Sequence, residues 1–221
     1  AQDALVGIRF KDRPQLSAFF IGGGAYTLPR AWLTRWPEAR VTVSEIDPSV
    51  TKLAHESFWL PDDPRLKVRH QDARLALASE PEHSFDVIVG DAFHDIAVPQ
   101  HLVTREFFEL IASRLKDDGV YVMNVVDSGA QPKLTLSIRR TLQSVFPTVE
   151  LWQPFGQGGR QTFVFLAAKS PTPKKTLYSR VDPESSWHRM TQDEIAKLAK
   201  TAEPLLLTDD FAPVDRLIGV E

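Results

Sequence analysis

Residues 17–32 read SAFFIGGGAYTLPRAW, in which an apolar segment leads into three glycines and then into a stretch with helical periodicity. Because glycine lacks a Cβ atom, Gly22, Gly23 and Gly24 permit a sharp turn and let a ligand lie directly against peptide groups. The first turn from strand to helix is the usual nucleotide site of an open α/β sheet. We therefore predict a ligand site at this loop.

The glycine loop departs from the two common phosphate-binding fingerprints. Thr27 stands where the last glycine of G-x-G-x-x-G is required, and no Lys-Ser or Lys-Thr pair follows the loop. Both a dinucleotide and a P-loop nucleotide are therefore disfavoured as ligands.

Along the rest of the chain, short β-branched apolar runs alternate with longer amphipathic stretches, the pattern of a parallel sheet with helical crossovers. The predicted strands span residues 17–21, 41–46, 66–70, 85–91, 120–125, 149–152 and 162–168. The predicted helices span residues 28–36, 48–58, 73–78, 105–115 and 133–145. The stretch QPFGQGGRQ between the last two strands is too short for a crossover helix. We therefore predict a doubly wound, mostly parallel α/β sheet of seven strands that ends in an antiparallel hairpin.

The overall composition disfavours several classes of function. The chain has 221 residues, of which 43% are hydrophobic and 25% charged, and its formal net charge is -3. These values are typical of a soluble globular protein and lack the basic excess of a protein that binds nucleic acid or anionic membranes. Zero cysteines exclude disulfides, thiolate metal sites and a cysteine nucleophile, and no apolar run approaches the roughly 18 residues of a membrane span. We expect a cytoplasmic protein with no nucleic-acid partner and no membrane contact of its own.

Two acidic residues follow the glycine loop at informative positions. Glu45 lies at the end of the second predicted strand, about 20 residues after the glycines, where a carboxylate can accept hydrogen bonds from ribose hydroxyls. Asp72 follows the third predicted strand, where it could hydrogen-bond the exocyclic amine of an adenine. The glycine loop, Glu45 and Asp72 together suit an adenosyl ligand without a pyrophosphate, such as S-adenosylmethionine or its decarboxylated form.

Residues from about 19 to 169 resemble the spermidine synthase (polyamine aminopropyltransferase) family, which shares the class I methyltransferase-like Rossmann fold. GGGAYTLPR resembles the family's first loop and places Arg30 at its arginine position. SEIDPSV resembles the ribose-binding segment, and QDAR, with Asp72 and Ala73, resembles the adenine-contacting segment. FDVIVGDAFHD resembles the catalytic segment, and LVTREFFELIASRLKDDGVYVMN follows the family pattern L-x-T-x-E-F-F…L-x-x-D-G. The closing LTDDFAPVD resembles the tail of spermidine-synthase-like proteins that are often fused to membrane transporter segments.

The resemblance implies transfer of an aminopropyl group from decarboxylated S-adenosylmethionine, as co-substrate, to a small-molecule amine, a di- or polyamine. In the catalytic segment, Asp91 is the candidate general base and Asp95 the candidate for holding the distant amine. His94 between them is a further candidate for the base. A metal is not expected, because His94, His101 and Asp95 lack a recognisable ligand spacing.

Three departures from the family pattern keep other functions open. Ala25 replaces the family's loop aspartate, Asp91 and Asp95 enclose three residues instead of two, and the amino-terminal β-hairpin domain is absent or reduced to ALVGIRF. Ala25 favours a methyltransferase that uses S-adenosylmethionine itself, since the missing aspartate would grip the terminal ammonium of the decarboxylated donor. The altered loop and the missing hairpin favour a nucleoside-binding domain without catalysis.

We divide the chain into three parts on this basis. Residues 1–16 are predicted to be a remnant strand and linker, residues 17–169 the adenosyl-binding catalytic domain, and residues 170–221 a tail. The tail opens with a Pro- and Ser-rich stretch typical of a surface linker. A short helix then follows over 191–201, with Thr191 as N-cap and Glu194 as its capping-box partner. We also allow for a homodimer.

Overall fold

The computed structural model describes residues 1–92, 98–156, 159–178, 186–200 and 202–218, and within them a sheet lies between two layers of helices. The strands are β1 (Ser17–Ile21), β2 (Arg40–Ser44), β3 (Leu66–Arg69), β4 (Phe85–Gly90), β5 (Leu115–Ser128), β6 (Thr148–Pro154), β7 (Arg160–Ala168), β8 (Thr176–Tyr178) and β9 (Ser186–Arg189). The helices are α1 (Gln2–Arg9), α2 (Thr27–Arg35), α3 (Pro48–Ser57), α4 (Ala73–Ala78), α5 (Arg105–Arg114), α6 (Lys133–Gln143), α7 (Gln192–Ala199) and α8 (Val214–Leu217), and a 3₁₀ helix spans Gln100–Leu102.

The described strands form one sheet in the order β3-β2-β1-β4-β5-β7-β6-β9-β8. The first five in this order are parallel, whereas β7 runs antiparallel to both β5 and β6. The predicted α/β fold and its antiparallel hairpin are therefore confirmed. The predicted count of seven strands is wrong, because β9 and β8 extend the sheet beyond β6 and give nine strands in the part of the chain described.

The two additional strands lie in the stretch that the sequence pattern predicts to be a linker. They are short, and β9 is held by pairing with β6, where Trp152 lies opposite Arg189. An ion pair reinforces this pairing, because Arg189 Nη1 donates to Glu150 Oε1 over 2.6 Å. Glu150 is buried, and the amide of Thr172 donates to the same oxygen. Two kinds of contact therefore order the described residues between Thr172 and Arg189. They supply the hydrogen bonds and the positive charge that stabilise the buried Glu150 carboxylate on β6, and β9 also pairs with β6 through backbone hydrogen bonds.

The first residues form a helix and not the predicted remnant strand. Helix α1 buries Leu5 and Val6, and both belong to the apolar cluster that contains Trp32 of α2. The Trp32 indole Nε1 donates to Asp3 Oδ1 over 3.1 Å. Short helices gain most of their stability from packing an amphipathic face, which explains why this segment is helical here.

The alternation of side chains along β1 separates the two helical layers. Phe19 and Ile21 pack in the cluster that contains residues of α4, α5 and α6, whereas Ala18 and Phe20 pack in the cluster that contains residues of α1, α2 and α3. This is the period of two expected of a central strand that is buried on both faces. The loops at the carboxyl edge of the sheet are therefore held between two packed layers.

The tail crosses the layer that contains α6. Leu205 N donates to Ser137 Oγ over 3.0 Å, and Leu207 N donates to Thr141 Oγ1 over 2.9 Å. An extended piece of the tail is thus hydrogen-bonded along one face of α6. The predicted capping box at Thr191, at the start of α7, is confirmed.

The division of the chain into three parts and the cytoplasmic location stay predictions. Among the helices of the described ranges, none combines the length and the apolar character that crossing a membrane requires.

Candidate active site

The loops that follow β1, β2 and β4 lie side by side at the carboxyl edge of the sheet. Strand β1 pairs in parallel with both β2 and β4, so the ends of the three strands are adjacent. Gly22, Glu45 and Asp91 directly follow these ends. The structure therefore brings together three of the predicted site residues.

The three glycines of the loop meet different requirements. Gly22 has a φ of 95°, and a Cβ atom there would lie 2.8 Å from the Asp91 carbonyl oxygen. A Cβ atom on Gly23 would lie 2.6 Å from the ring of Tyr26. Gly24 has a φ of 49° and open space around the position of its missing side chain. Packing within the protein thus requires glycine at positions 22 and 23, and the space beside Gly24 is open. Ligand contacts by the three glycines stay predictions.

Glu45 is held by backbone amides on both of its carboxylate oxygens. Gly23 N donates to Oε2 over 2.9 Å, and Asp47 N donates to Oε1 over 3.0 Å. An ionised carboxylate offers about four lone-pair positions, so these two bonds leave one position on each oxygen. The side chain is thus fixed in place and keeps a pair of acceptor positions.

Asp72 serves as the N-cap of α4. Its Oδ1 accepts from Arg74 N over 2.9 Å and from Leu75 N over 3.2 Å, and its Oδ2 lies 2.7 Å from His101 Nε2. Partial burial works toward a higher pKa, but the hydrogen bond with His101 and the two amides outweigh it and hold the pKa of Asp72 below its ordinary value. By the same count of lone pairs, one acceptor position on Oδ2 remains.

Asp91 follows β4 and accepts a hydrogen bond on Oδ1 from Asn124 Nδ2, over 2.6 Å. Desolvation by the surrounding protein raises the pKa of Asp91 to about 6, and the bond from Asn124 acts in the opposite direction. Asp91 remains exposed to solvent. Its carboxylate is therefore desolvated by nearby protein atoms, although it is not enclosed by them. A carboxylate of this kind can take up a proton near neutral pH.

Arg30 and Ala73 are the two remaining predicted cofactor contacts. Arg30 Nη1 donates to the backbone carbonyl of Phe58, just after α3. Ala73 is buried in the apolar core as the first residue of α4. Ligand contacts by either residue stay predictions.

Asp95 and His94 lie outside the described residues, so their predicted roles stay predictions. Within the described part of the chain, no three or more histidine and acidic side chains come together in a way that could hold a metal ion.

Four further residues near the site were missed as site residues in the sequence. Asn124 contacts Asp91, and His101 contacts Asp72. Ile46 and Leu75 are apolar side chains that are 70% and 66% exposed. Ile46 directly follows Glu45, and Leu75 lies in the first turn of α4. An apolar residue right after an acidic strand end is a signal that could have identified Ile46. A lone polar residue inside an apolar strand offered no comparable signal for Asn124.

The comparisons with known proteins concern the family and the fold of the chain. A family model of the spermine/spermidine synthase domain matches residues 10–155. A probable polyamine aminopropyl transferase of Bifidobacterium longum is 31% identical over 222 residues, which cover 91% of this chain and 48% of that protein. A polyamine aminopropyltransferase of Vibrio vulnificus is 27% identical over 223 residues, which cover 96% of this chain and 73% of that protein. The chain thus spans about half the length of the first relative and about three quarters of the second.

A solved structure supports the fold independently. The crystal structure of a probable spermidine synthase from Corynebacterium glutamicum matches with a TM-score of 0.73 at 23% identity, over 96% of this chain and 81% of that one. This likeness confirms the predicted α/β fold, and the family match extends over more than half of the chain. The chain therefore belongs to the spermine/spermidine synthase family.

Proposed function

We propose that this chain takes the aminopropyl group of decarboxylated S-adenosylmethionine and transfers it to a di- or polyamine. The observation that carries the proposal is the placement of Glu45, Asp72 and Asp91 just beyond the carboxyl ends of neighbouring strands. The names of the Bifidobacterium and Vibrio relatives point to the same reaction.

Glu45 is proposed to bind the ribose. A ribose carries two adjacent hydroxyls, and Glu45 has one acceptor position left on each carboxylate oxygen. The amides of Gly23 and Asp47 fix the plane of the carboxylate before any ligand arrives. Such preorganisation lowers the cost of binding, because the side chain does not have to be ordered by the ligand.

Asp72 is proposed to bind the adenine. Its remaining acceptor position on Oδ2 suits a single donor such as the exocyclic amine of adenine. Ile46 and Leu75 offer exposed apolar surface for the two faces of the base, and Ala73, next to Asp72 in the chain, is proposed to contact it. Gly24 is proposed to leave room for the chain attached to sulfur, and Arg30 to support the loop from α2.

Asp91 is proposed as the general base. The bound donor supplies a carbon attached to a positively charged sulfur, which leaves as a neutral thioether when the amine nitrogen bonds to that carbon. The amine must give up a proton to free its lone pair, and we assign that proton to Asp91 Oδ2, since Asn124 bonds Oδ1. With a pKa of about 6, Asp91 is ionised at neutral pH and binds a proton more strongly than an ordinary aspartate. Asp95 is proposed to hold the distant amine of the acceptor.

Methyl transfer from S-adenosylmethionine is the second candidate, and Ala25 is the residue that favours it. An alanine at this position cannot grip the terminal ammonium of the decarboxylated donor. The names of the relatives favour aminopropyl transfer over this alternative. Self-association to a homodimer is a separate proposal, which light scattering tests.

The deciding experiment is a calorimetric titration with S-adenosylmethionine, its decarboxylated form and methylthioadenosine, each with and without putrescine or spermidine. We expect preference for the decarboxylated donor and release of methylthioadenosine once an amine is added. Asp91→Asn is the matched variant, which should bind the donor and form product far more slowly. Preference for intact S-adenosylmethionine would favour the assignment as a methyltransferase. If the protein binds none of the three compounds, both enzymatic functions are ruled out.

A further inference from the structure

Asp209 in the tail forms a bidentate ion pair with Arg74 of α4. Arg74 Nη1 donates to Asp209 Oδ1 over 2.7 Å, and Nη2 donates to Oδ2 over 2.6 Å. Two parallel bonds between a guanidinium and a carboxylate fix orientation as well as distance. The Arg74 guanidinium holds the pKa of Asp209 at about 2, so the carboxylate is charged at physiological pH.

The same carboxylate also contacts the start of α5. Thr104, the N-cap of α5, donates from Oγ1 to Asp209 Oδ1 over 2.7 Å. Asp209 N in turn donates to Glu106 Oε2, over 2.9 Å. One residue of the tail therefore joins the first turn of α4 to the first turn of α5.

Asp72 is held by α4 and by the 3₁₀ helix that precedes α5. Arg74 N donates to Asp72 Oδ1, and His101, three residues before Thr104, contacts Asp72 Oδ2. Arg74 Nη1 also lies 3.4 Å from the His101 carbonyl oxygen, which brings the two supports of Asp72 together. Because α4 has only six residues, its first turn depends on contacts of this kind for its position.

We propose that Asp209 is a positioning residue for the adenosyl site, which holds α4 and the start of α5 at the spacing that Asp72 needs to bind the adenine amine. This inference rests on the proposed function of Asp72. Asp209 acts through Arg74 and Thr104, so its effect should be specific to recognition of the base. The tail thereby contributes to ligand selectivity from a position 135 residues beyond Arg74 in the chain.

The test compares two nucleosides in the full chain, methylthioadenosine and methylthioinosine, which carries an oxygen in place of the exocyclic amine. We expect the wild type to prefer methylthioadenosine and Asp209→Asn to bind it about tenfold more weakly, with most of the preference lost. Asp72→Asn should show the same loss of preference. Affinities come from titration calorimetry, and the melting temperature of each variant shows that it is folded.

Two control variants separate positioning from a general loosening of the tail. Asp210→Asn removes the neighbouring exposed charge, and Arg140→Gln removes a contact of 2.7 Å between Arg140 Nη1 and the Pro204 carbonyl in the same tail. Both should keep the wild-type preference.

Each other outcome is decisive. If Asp209→Asn keeps the wild-type affinity and preference, the positioning role is wrong while the proposed function stands. If Asp209→Asn and Arg140→Gln each lower the affinity for the two nucleosides by the same factor, Asp209 only stabilises the fold. The inference is then again overturned. If the wild type binds neither nucleoside, the proposed function fails and this inference falls with it.

Discussion

Asn124 Nδ2 donates to Asp91 Oδ1 over 2.6 Å and so joins the interior of β5 to the residue that follows β4. The strands are parallel neighbours in which Gly90 lies opposite Met123, so the register itself places Asn124 beside Asp91. A hydrogen bond to a carboxylate favours its charged form. Asn124 therefore orients the proposed base and also limits the rise in its pKa.

Asn124→Ala is expected to move the acidic limb of the kcat/KM profile to higher pH. The bond from Asn124 lowers the pKa of Asp91, so its removal lets that pKa rise above about 6. The wild type should lose activity as the pH falls through about 6, and the variant should lose it at a higher pH. Rate profiles of both proteins between about pH 5 and 9 measure the shift. If the acidic limb of the profile lies at the same pH in both proteins, Asp91 is not the group that takes up the proton.

Asp91→Asn is expected to lower the transfer rate about 10²–10⁴-fold and yet to stabilise the protein at alkaline pH. Folding raises the pKa of Asp91 from 3.8 to about 6, so its contribution to stability is complete below 3.8 and is lost as the pH rises through about 6. Replacing the charge therefore helps only above that range. Because the carboxylate reaches solvent, we expect a modest gain in melting temperature, roughly 2–4 °C.

Differential scanning calorimetry at about pH 4 and pH 8 checks the sign of this effect. The exposed Asp62→Asn variant is the matched control and should leave the melting temperature unchanged at both values. A gain for Asp91→Asn that is as large at the acidic pH as at the alkaline pH would contradict the raised pKa.

The central strands and helices could be predicted because their apolar residues recur with the period of a strand or of a helix. Ala18, Phe19, Phe20 and Ile21 alternate between two cores, and the order of strand ends then places Glu45 next to the glycine loop. Strands β8 and β9 are too short to show such a period, and like α1 they are ordered by contacts with distant elements.

The parts of the site that were missed depend on pairing that a single sequence does not reveal. Asn124 faces Asp91 through strand register, and Arg74 meets Asp209 across 135 residues of chain. In the glycine loop, the sequence pattern suggests a sharp turn and close approach of a ligand at all three glycines. The structure adds a reason that the sequence does not reveal, since a Cβ atom on Gly22 or Gly23 would meet the Asp91 carbonyl or the Tyr26 ring.

Gly22→Ala is expected to destabilise the fold more than Gly24→Ala. Both residues have positive φ, 95° and 49°, so either alanine carries backbone strain of about 1 kcal/mol or more. At Gly22 the new Cβ atom would also lie 2.8 Å from the Asp91 carbonyl oxygen, so the backbone there has to move. Urea unfolding measures the two free energies. Equal costs for the two variants would mean that the contact with Asp91 does not matter.

Removal of the ribose 2′-hydroxyl is expected to weaken binding through Glu45. A hydrogen bond to a charged group is worth about 1.5–3 kcal/mol, so methylthio-2′-deoxyadenosine should bind the wild type at least about tenfold more weakly than methylthioadenosine. In Glu45→Gln this difference should shrink, because the amide has one oxygen and the amides of Gly23 and Asp47 both need an acceptor.

Titration of both ligands against both proteins completes a double-mutant cycle, which isolates the coupling between the 2′-hydroxyl and the carboxylate. Glu56→Gln, an exposed charge on α3, is the matched control and should preserve the wild-type difference between the two ligands. Energies that simply add for Glu45→Gln would mean that this carboxylate does not contact the 2′-hydroxyl. The hydrogen bonds that Glu45 accepts from the amides of Gly23 and Asp47 would then serve only to join the glycine loop to the end of β2.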